Sequence, residues 1–283
     1  MSTILTALAV LAVTTPGLLI SPAELAASLK DPATVVIAVG TSDDDFIAGH
    51  IPGARFVRYS EIAIDADGLQ SELPPVDALR RVLSASGISD KSKVVLYGSP
   101  IAATRLFFTL DYFGHRNVKV LNGGLNAWKG NGGKIEIGPL PRSAAASLTP
   151  KPQPDRVVSA DWIKDRLSST KMTLLDARPD NEFTGADGGM NGAHVKGHLP
   201  DAQQLVWNTL LDSTGKFLPD AELRKKFEAI GATKTTPLVS YCMVGMRASV
   251  TYFVARHLGY DARLYDGSIV DWTRRRLPAV MGK

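Results

Sequence analysis

The sequence predicts an α/β protein made of two copies of one domain, each a parallel sheet flanked by helices. Three observations predict it. Short Val/Ile/Leu runs alternate with helical segments along the chain, as in sheets whose strands are buried on both faces and joined by crossover helices. Landmarks recur at a constant offset of 144 residues: Gly87 and Gly231, Gly98 and Cys242, Trp128 and Trp272. Such self-similarity marks an internal duplication. Between the copies, Gly138 to Pro154 holds five prolines and a Ser/Ala stretch, the composition of an extended linker.

Taken in order, residues 1–16 come first. Ile4 to Val13 is an uncharged apolar run followed by Thr14-Thr15-Pro16, long enough for a signal-peptide core and too short to span a bilayer. No Lys or Arg precedes it. An export signal, with a periplasmic destination, is the preferred reading over a disordered or partly helical extension. The first copy covers residues 17–137, the linker 138–156 and the second copy 157–283. Strands are expected at 34–39, 94–97 and 119–121 in the first copy and at 173–175, 238–241 and 263–265 in the second. Leu79 to Ile88 is echoed by Leu223 to Ala232, each a helix closed by a glycine. Gly49-His50-Ile51-Pro52-Gly53-Ala54 returns as Gly197-His198-Leu199-Pro200-Asp201-Ala202.

Composition narrows the function classes. Apolar residues make up 45% and charged residues 21% of 283, so the chain is globular and long enough for two cores. A single cysteine excludes an internal disulfide and any cysteine-rich metal cluster. The net charge of +4 suits small anions; no basic stripe interleaved with aromatics suggests nucleic acid. No membrane partner is expected.

The lone cysteine, Cys242, falls between a buried strand ending at Tyr241 and an apolar helix running from Ala248 to Leu258. Free N–H groups at a helix start and the helix dipole favour a thiolate there, and a ring of amides also suits a persulfide anion. A small buried hydrophobe is the bland alternative. The two copies help decide. Gly98 stands where Cys242 does, and Val36-Ile37-Ala38-Val39-Gly40 matches Leu174-Leu175-Asp176-Ala177-Arg178. Thiol, carboxylate and guanidinium are all missing from the first copy, so chemistry is assigned to the second, with the first supplying a wall of the cleft.

Leu175-Asp176-Ala177-Arg178, the two Gly-His-(Leu/Ile)-Pro motifs, the loop Cys242-Met243-Val244-Gly245-Met246-Arg247, and Asp266-Gly267 with Trp272 together resemble the two-domain rhodanese-type sulfurtransferases. The resemblance implies tandem rhodanese-like domains, the first catalytically inactive, and no metal or organic cofactor. It also implies a Cys242 persulfide that moves a sulfane sulfur from a small anionic donor, thiosulfate or alternatively 3-mercaptopyruvate, to cyanide or a thiol. Residues 243–247 would cradle that sulfur, with Asp176, Arg178 and Glu182 in support. Two departures from the family pattern stand out. Glu182 precedes Phe183 where an Arg is common, and Met243 and Val244 are apolar where basic or small polar residues are usual. Arg247 is expected either to clamp the loop by pairing with Asp176 and Glu182, or to face the cleft and bind the donor; the clamp is preferred.

Other residues have plainer expected roles. His198 reads as a turn histidine, because His50 holds its place in the first copy, and Lys196 as a solvated lysine. Trp128, Trp162 and Trp272 read as core anchors and Trp207 as a possible cleft wall. Eleven extra residues between Phe183 and His198 include the Gly-rich stretch 185–193, either a flap beside the loop or a plain insertion. A cysteine phosphatase or arsenate reductase is the rival enzyme class, but those loops need five residues between Cys and Arg, and Cys242 to Arg247 has four. A non-catalytic rhodanese-like sulfur carrier or binding module is the other rival.

Overall fold

The computed structural model describes residues 17–138, 145–169, 171–187 and 195–282. The expected export signal, part of the linker and most of the Gly-rich stretch lie outside these residues. The first copy forms a five-stranded parallel sheet of β1 (Leu19–Ile20), β2 (Thr34–Gly40), β3 (Arg55–Arg58), β6 (Lys93–Gly98) and β7 (Val118–Leu121), in the order β1-β7-β6-β2-β3. The second forms a four-stranded parallel sheet of β8 (Thr173–Asp176), β9 (Gln203–Gln204), β10 (Leu238–Tyr241) and β11 (Ala262–Leu264), ordered β11-β10-β8-β9. A bridge from Val157 to Leu264 stands where β1 stands in the first sheet. A short antiparallel hairpin of β4 (Ile64–Ala66) and β5 (Leu69–Glu72) belongs to the first copy.

Alternation along the strands explains the layering. In β2 and β6, Val35, Ile37, Val39, Val94 and Leu96 face one core, while Val36, Ala38, Val95 and Tyr97 face another. The second face is covered by α1 (Pro22–Ser28), α2 (Asp44–Ala48) and α5 (Gly124–Gly130) through Leu25, Phe46 and Trp128. In the second copy, α6 (Ala160–Lys164), α7 (Asp180–Thr184) and α10 (Ser268–Arg274) cover Leu174, Val239 and Tyr241 in the same way. The remaining faces meet in one shared core. It is filled by α3 (Val76–Ala85) and α4 (Pro100–Phe113) from the first copy and α8 (Asp220–Ala229) and α9 (Ala248–His257) from the second.

The central helices α4 and α9 pack directly against each other. Phe107 meets Phe253 edge-on with ring centres 4.9 Å apart, and Phe108 meets Tyr252 at 5.1 Å. Beyond the rings, the Tyr252 hydroxyl donates to Asp111 Oδ2 at 2.6 Å and Arg256 Nε donates to the same oxygen at 2.9 Å. The joint is therefore apolar in the middle and hydrogen-bonded at one end. Burying two aromatic pairs removes several hundred Å² of apolar surface from water, worth about 25 cal/mol per Å². This is a large term for a domain interface, and it holds the two sheets in fixed relation.

The repeat survives at the level of single hydrogen bonds. His50 stacks on Phe46 with ring centres 3.9 Å apart, its Nδ1 2.9 Å from the Phe46 carbonyl; His198 stacks on Phe183 at 3.7 Å, its Nδ1 2.9 Å from the Phe183 carbonyl. The Ile51 N–H donates to Tyr97 Oη and the Leu199 N–H to Tyr241 Oη. Trp128 Nε1 donates to the Lys134 carbonyl and Trp272 Nε1 to the Pro278 carbonyl, both at 2.8 Å. Trp128 and Trp272 are core anchors as expected. Trp162 is not: it is only partly buried, with Arg166 and Arg263 over its ring at 4.0 and 5.2 Å.

Candidate functional site: the loop after β10

Cys242 is the first residue beyond β10 and is wholly buried, facing the shared core. The next helix, α9, does not begin until Ala248. Gly245, at φ +80°, turns the loop between them. A Cβ there would sit 2.6 Å from Asp266 Oδ1 and 2.8 Å from the Asp266 carbonyl oxygen, so a side chain is excluded by space as well as by backbone conformation.

The loop's carbonyls are taken up by α10 and the start of α9. The Ile269 N–H donates to the Cys242 carbonyl at 3.2 Å, the Val270 N–H to that of Met243 at 3.3 Å, and Ser249 Oγ to that of Gly245 at 3.1 Å. The Cys242 N–H donates to Ser268 Oγ at 3.1 Å, and that hydroxyl donates on to the Tyr265 carbonyl. By contrast, the N–H groups of residues 243–247 have no acceptor among the described residues. Five consecutive amides without a protein acceptor, directly after a buried cysteine, are available to stabilise an anion.

Arg247 forms a bidentate pair with Glu182, Nη1 to Oε1 and Nη2 to Oε2, both at 2.8 Å. Burial pulls its pKa down, but Glu182 and the nearby Cys242 more than reverse this and raise it above the ordinary value. The clamp expected from the sequence is present with one change: Asp176 takes no part in it. Asp176 is held instead by Arg178, whose Nε and Nη2 reach Asp176 Oδ2 at 3.1 and 2.6 Å and whose Nη2 also donates to the Gly197 carbonyl. Both side chains are fully buried; Arg178 pins the Gly-His-Leu-Pro segment through Gly197, and its Nη1 is buried without a hydrogen-bond partner among the described residues. Trp207 packs on the shared core and Lys196 is exposed.

Several neighbours of the loop come from the first copy and are missed by a reading of local motifs. Arg105, fully buried on α4, donates to Asp266 Oδ1 at 2.5 Å and Oδ2 at 3.1 Å, and to the Ser71 carbonyl at 2.5 Å. Burial alone would lower its pKa; the Asp266 carboxylate raises it instead. The Leu73 N–H donates to Asp266 Oδ2 at 2.8 Å, so β5 is tied to the turn that supports Gly245. Tyr59, whose hydroxyl lies 3.1 Å from Ser71 Oγ, has its pKa raised by burial, with the nearby Asp266 carboxylate adding to the rise. One signal was available: Arg105 is a lone cation in the apolar run from Ile101 to Phe108, and a buried arginine requires a carboxylate.

Among the described residues, no group of His, Cys, Asp and Glu could hold a metal ion, and no helix is long and apolar enough to cross a membrane. A strand-end cysteine followed by a loop of free amides, matched by a glycine in the sister domain, defines a duplicated domain with one thiol among the described residues. The rhodanese-like domain family matches residues 21–131 and 159–275. The chain belongs to that family, in tandem form. Among its relatives, a thiosulfate sulfurtransferase of Azotobacter vinelandii is 30% identical over 263 residues, covering 90% of this chain and 93% of the relative. The sulfur carrier protein TtuD of Thermus thermophilus is 29% identical, covering 91% and 94%. A mitochondrial thiosulfate/3-mercaptopyruvate sulfurtransferase of Arabidopsis thaliana is 29% identical over 83% of this chain and 68% of its own. The chain thus falls among the sulfurtransferases of the family. Of solved structures, an anaerobic ergothioneine biosynthesis enzyme of Chlorobium limicola superposes with a TM-score of 0.86 at 23% identity, over 94% of this chain and 70% of its own. YnjE does so at 0.86 and 22%, over 94% and 68%. These two share the fold.

Proposed function

We propose that this protein transfers a sulfane sulfur through a persulfide on Cys242, with thiosulfate or a related anion such as 3-mercaptopyruvate as donor and cyanide or a thiol as acceptor. The observation that carries this reading is the run of amides at residues 243–247, with no acceptor among the described residues, directly following a buried thiol. In the first half-reaction the Cys242 thiolate attacks the outer sulfur of the donor. With thiosulfate a Cys–S bond forms, the donor's S–S bond breaks, and sulfite leaves with the electron pair; with 3-mercaptopyruvate the donor's C–S bond breaks instead, and the electron pair leaves on the pyruvate enolate, which takes up the thiol proton. The terminal sulfur anion then rests against the loop amides, which are fixed beforehand and need no reorganisation. In the second half-reaction the acceptor attacks that outer sulfur, leaves as thiocyanate or a persulfide, and returns the electron pair to Cys242. No proton or electron is left over.

Arg247 acts as a positioning residue in this scheme. Its guanidinium is engaged at both ends by Glu182, so it secures the helical end of the loop and leaves the donor's charge to the amides. The first domain, lacking a thiol at Gly98, serves as support and cover. Intact-mass analysis tests the reading. Exposure to thiosulfate or, separately, 3-mercaptopyruvate is expected to add one sulfur atom, which cyanide then removes, and the donor that loads the protein identifies the subclass. Cys242→Ala is expected to take up no sulfur and lose turnover by at least about 1,000-fold while keeping its melting temperature. Turnover retained in that variant would refute the assignment.

A further inference from the structure

A cavity among the described residues lies away from Cys242, which is not one of its lining residues. It measures about 770 Å³ and lies over the carboxyl ends of β2, β6 and β7 in the first domain, around Gly98. Its origin is a difference in winding between equal stretches of chain. From Cys242 the second copy runs six residues of loop before α9 starts at Ala248. In the first copy Ser99 caps the Ala102 N–H and Pro100 occupies the first helical position, so α4 starts two residues after Gly98. Proline at the first position and serine at the cap strongly favour early helix entry. Residues that fill the end of the second sheet as a loop are drawn into a helix in the first, and the space they vacate is the cavity.

Its walls are built for a ring. Phe56 and Tyr59 stand on one side, Ile101 and Leu125 line it from the two helices, and Phe217 and Met246 close it from the second domain. One carboxylate, Asp45, and one ammonium, Lys129, also line it; both are exposed and neither has an ion-pair partner among the described residues. One charge of each sign gives no net field for a polyanion. The volume falls in the range that encloses a compact organic molecule, and is far more than cyanide or thiosulfate would fill.

We infer that this cavity is a second ligand site, for a net-neutral, ring-bearing small molecule that packs against Met246 of the Cys242 loop. Met246 belongs to the Cys242 loop and lines the cavity, whereas Cys242 does not, so an occupant touches the sulfur loop without reaching the sulfur. The site does not depend on persulfide chemistry.

Chemical-shift titration of the protein carrying 13C-methyl methionine tests it, with p-cresol and indole as neutral probes and benzoate and benzylamine as charged ones. Six methionines are present, and Met246→Leu identifies the Met246 methyl signal. The neutral rings are expected to saturate with a Kd of about 1 mM or below, at least about fivefold tighter than either charged ring, while shifting the Met246 methyl. Ile101→Trp fills the cavity and is expected to abolish the shift. Asn126→Trp, on an exposed position at the rim, provides the same block should the first variant fold poorly. Neutral rings that do not saturate, that bind and leave the Met246 methyl unmoved, or that bind equally well to both tryptophan variants would overturn the site. Failure of sulfur loading would sink the persulfide reading and leave this titration unaffected.

Discussion

The two ends of the domain joint are built on the same plan and differ in charge. Over the Cys242 loop, the first domain sends the β4–β5 hairpin, and the Leu73 N–H donates to Asp266 Oδ2 at 2.8 Å. Over the first-domain cavity, the second domain sends the segment 211–217, and the Phe217 N–H donates to Asn122 Oδ1 at 2.8 Å. Leu73 and Phe217, and Asp266 and Asn122, are each 144 residues apart. The cross-domain bond is thus duplicated along with the domains. What is not duplicated is the ion pair. Arg105 binds Asp266, whereas the matching positions are Ser249 and Asn122. Scaffold contacts were kept at both ends, and of these two ends only the one beside the thiol carries a buried ion pair among the described residues. A buried ion pair is poor value as glue, since desolvation offsets most of the attraction. Its presence at one end alone points to placement of the Asp266 turn beneath Gly245.

The comparison breaks most severely if Arg105 is removed. Arg105→Met leaves Asp266 buried and unpaired, and should cost about 3–5 kcal/mol in chemical denaturation. The paired change Arg105→Met with Asp266→Asn copies the uncharged arrangement of the other end. It should recover a large part of that loss in stability while sulfur transfer stays impaired. If both stability and transfer return in the double variant, the ion pair is simple glue.

Gly98→Cys sharpens it from the other side, by asking whether a thiol alone makes a site. Gly98 lies at φ +148°, and a Cβ there would fall 2.3 Å from the Val39 carbonyl oxygen. The substitution is expected to destabilise by about 2–3 kcal/mol through strain and overlap. It should add no second sulfur on exposure to the donor, because the first domain has wound its loop into α4 and offers no ring of amides. Intact mass in the Cys242→Ala background reads this out directly. One added sulfur atom in that double variant would show that the loop shape is not what makes the site.

This contrast also explains what the sequence disclosed. The duplication, the parallel sheets and the strand-Cys-loop-helix junction were legible because each is written locally: apolar runs of strand length, glycines at helix ends, and a thiol at a fixed place in a repeat. The Glu182–Arg247 clamp was half legible; the expectation included Asp176, which a strand-end geometry ties to Arg178 two residues on. The covering hairpin was not foreseen. Its strands are three and four residues long, too short for a periodic signal, and its bond to Asp266 spans 193 residues. Long-range pairing of that kind depends on how the domains dock, which no local pattern records. The cavity was nearer to hand. Ser99-Pro100 against Gly245 is a difference in helix-start chemistry between matched loops, and it forecasts the difference in winding.

The smallest expected effect concerns the covering segments themselves, which carry Glu72 over the Cys242 end and Lys216 at the matching place over the cavity. Glu72 Oε1 is buried without a hydrogen-bond partner, and burial, reinforced by the nearby Asp266 carboxylate, pushes the Glu72 pKa up to about 7. The unfolded chain releases that proton near its ordinary value of 4.5. Between those two values the native state holds more protons than the unfolded one, so this residue's contribution to stability declines as pH rises through that window and is fully unfavourable above about 7. Glu72→Gln removes the titration. Its urea midpoint should match wild type near pH 4 and exceed it at pH 8.5 by roughly 1–2 kcal/mol equivalent, given the partial exposure of the side chain. Lys216→Met, at the other end, should show no such pH dependence. Equal midpoints for Glu72→Gln and wild type across the whole range would mean that the hairpin stands off the Asp266 turn at neutral pH, and that the two covers differ in fit as well as in charge.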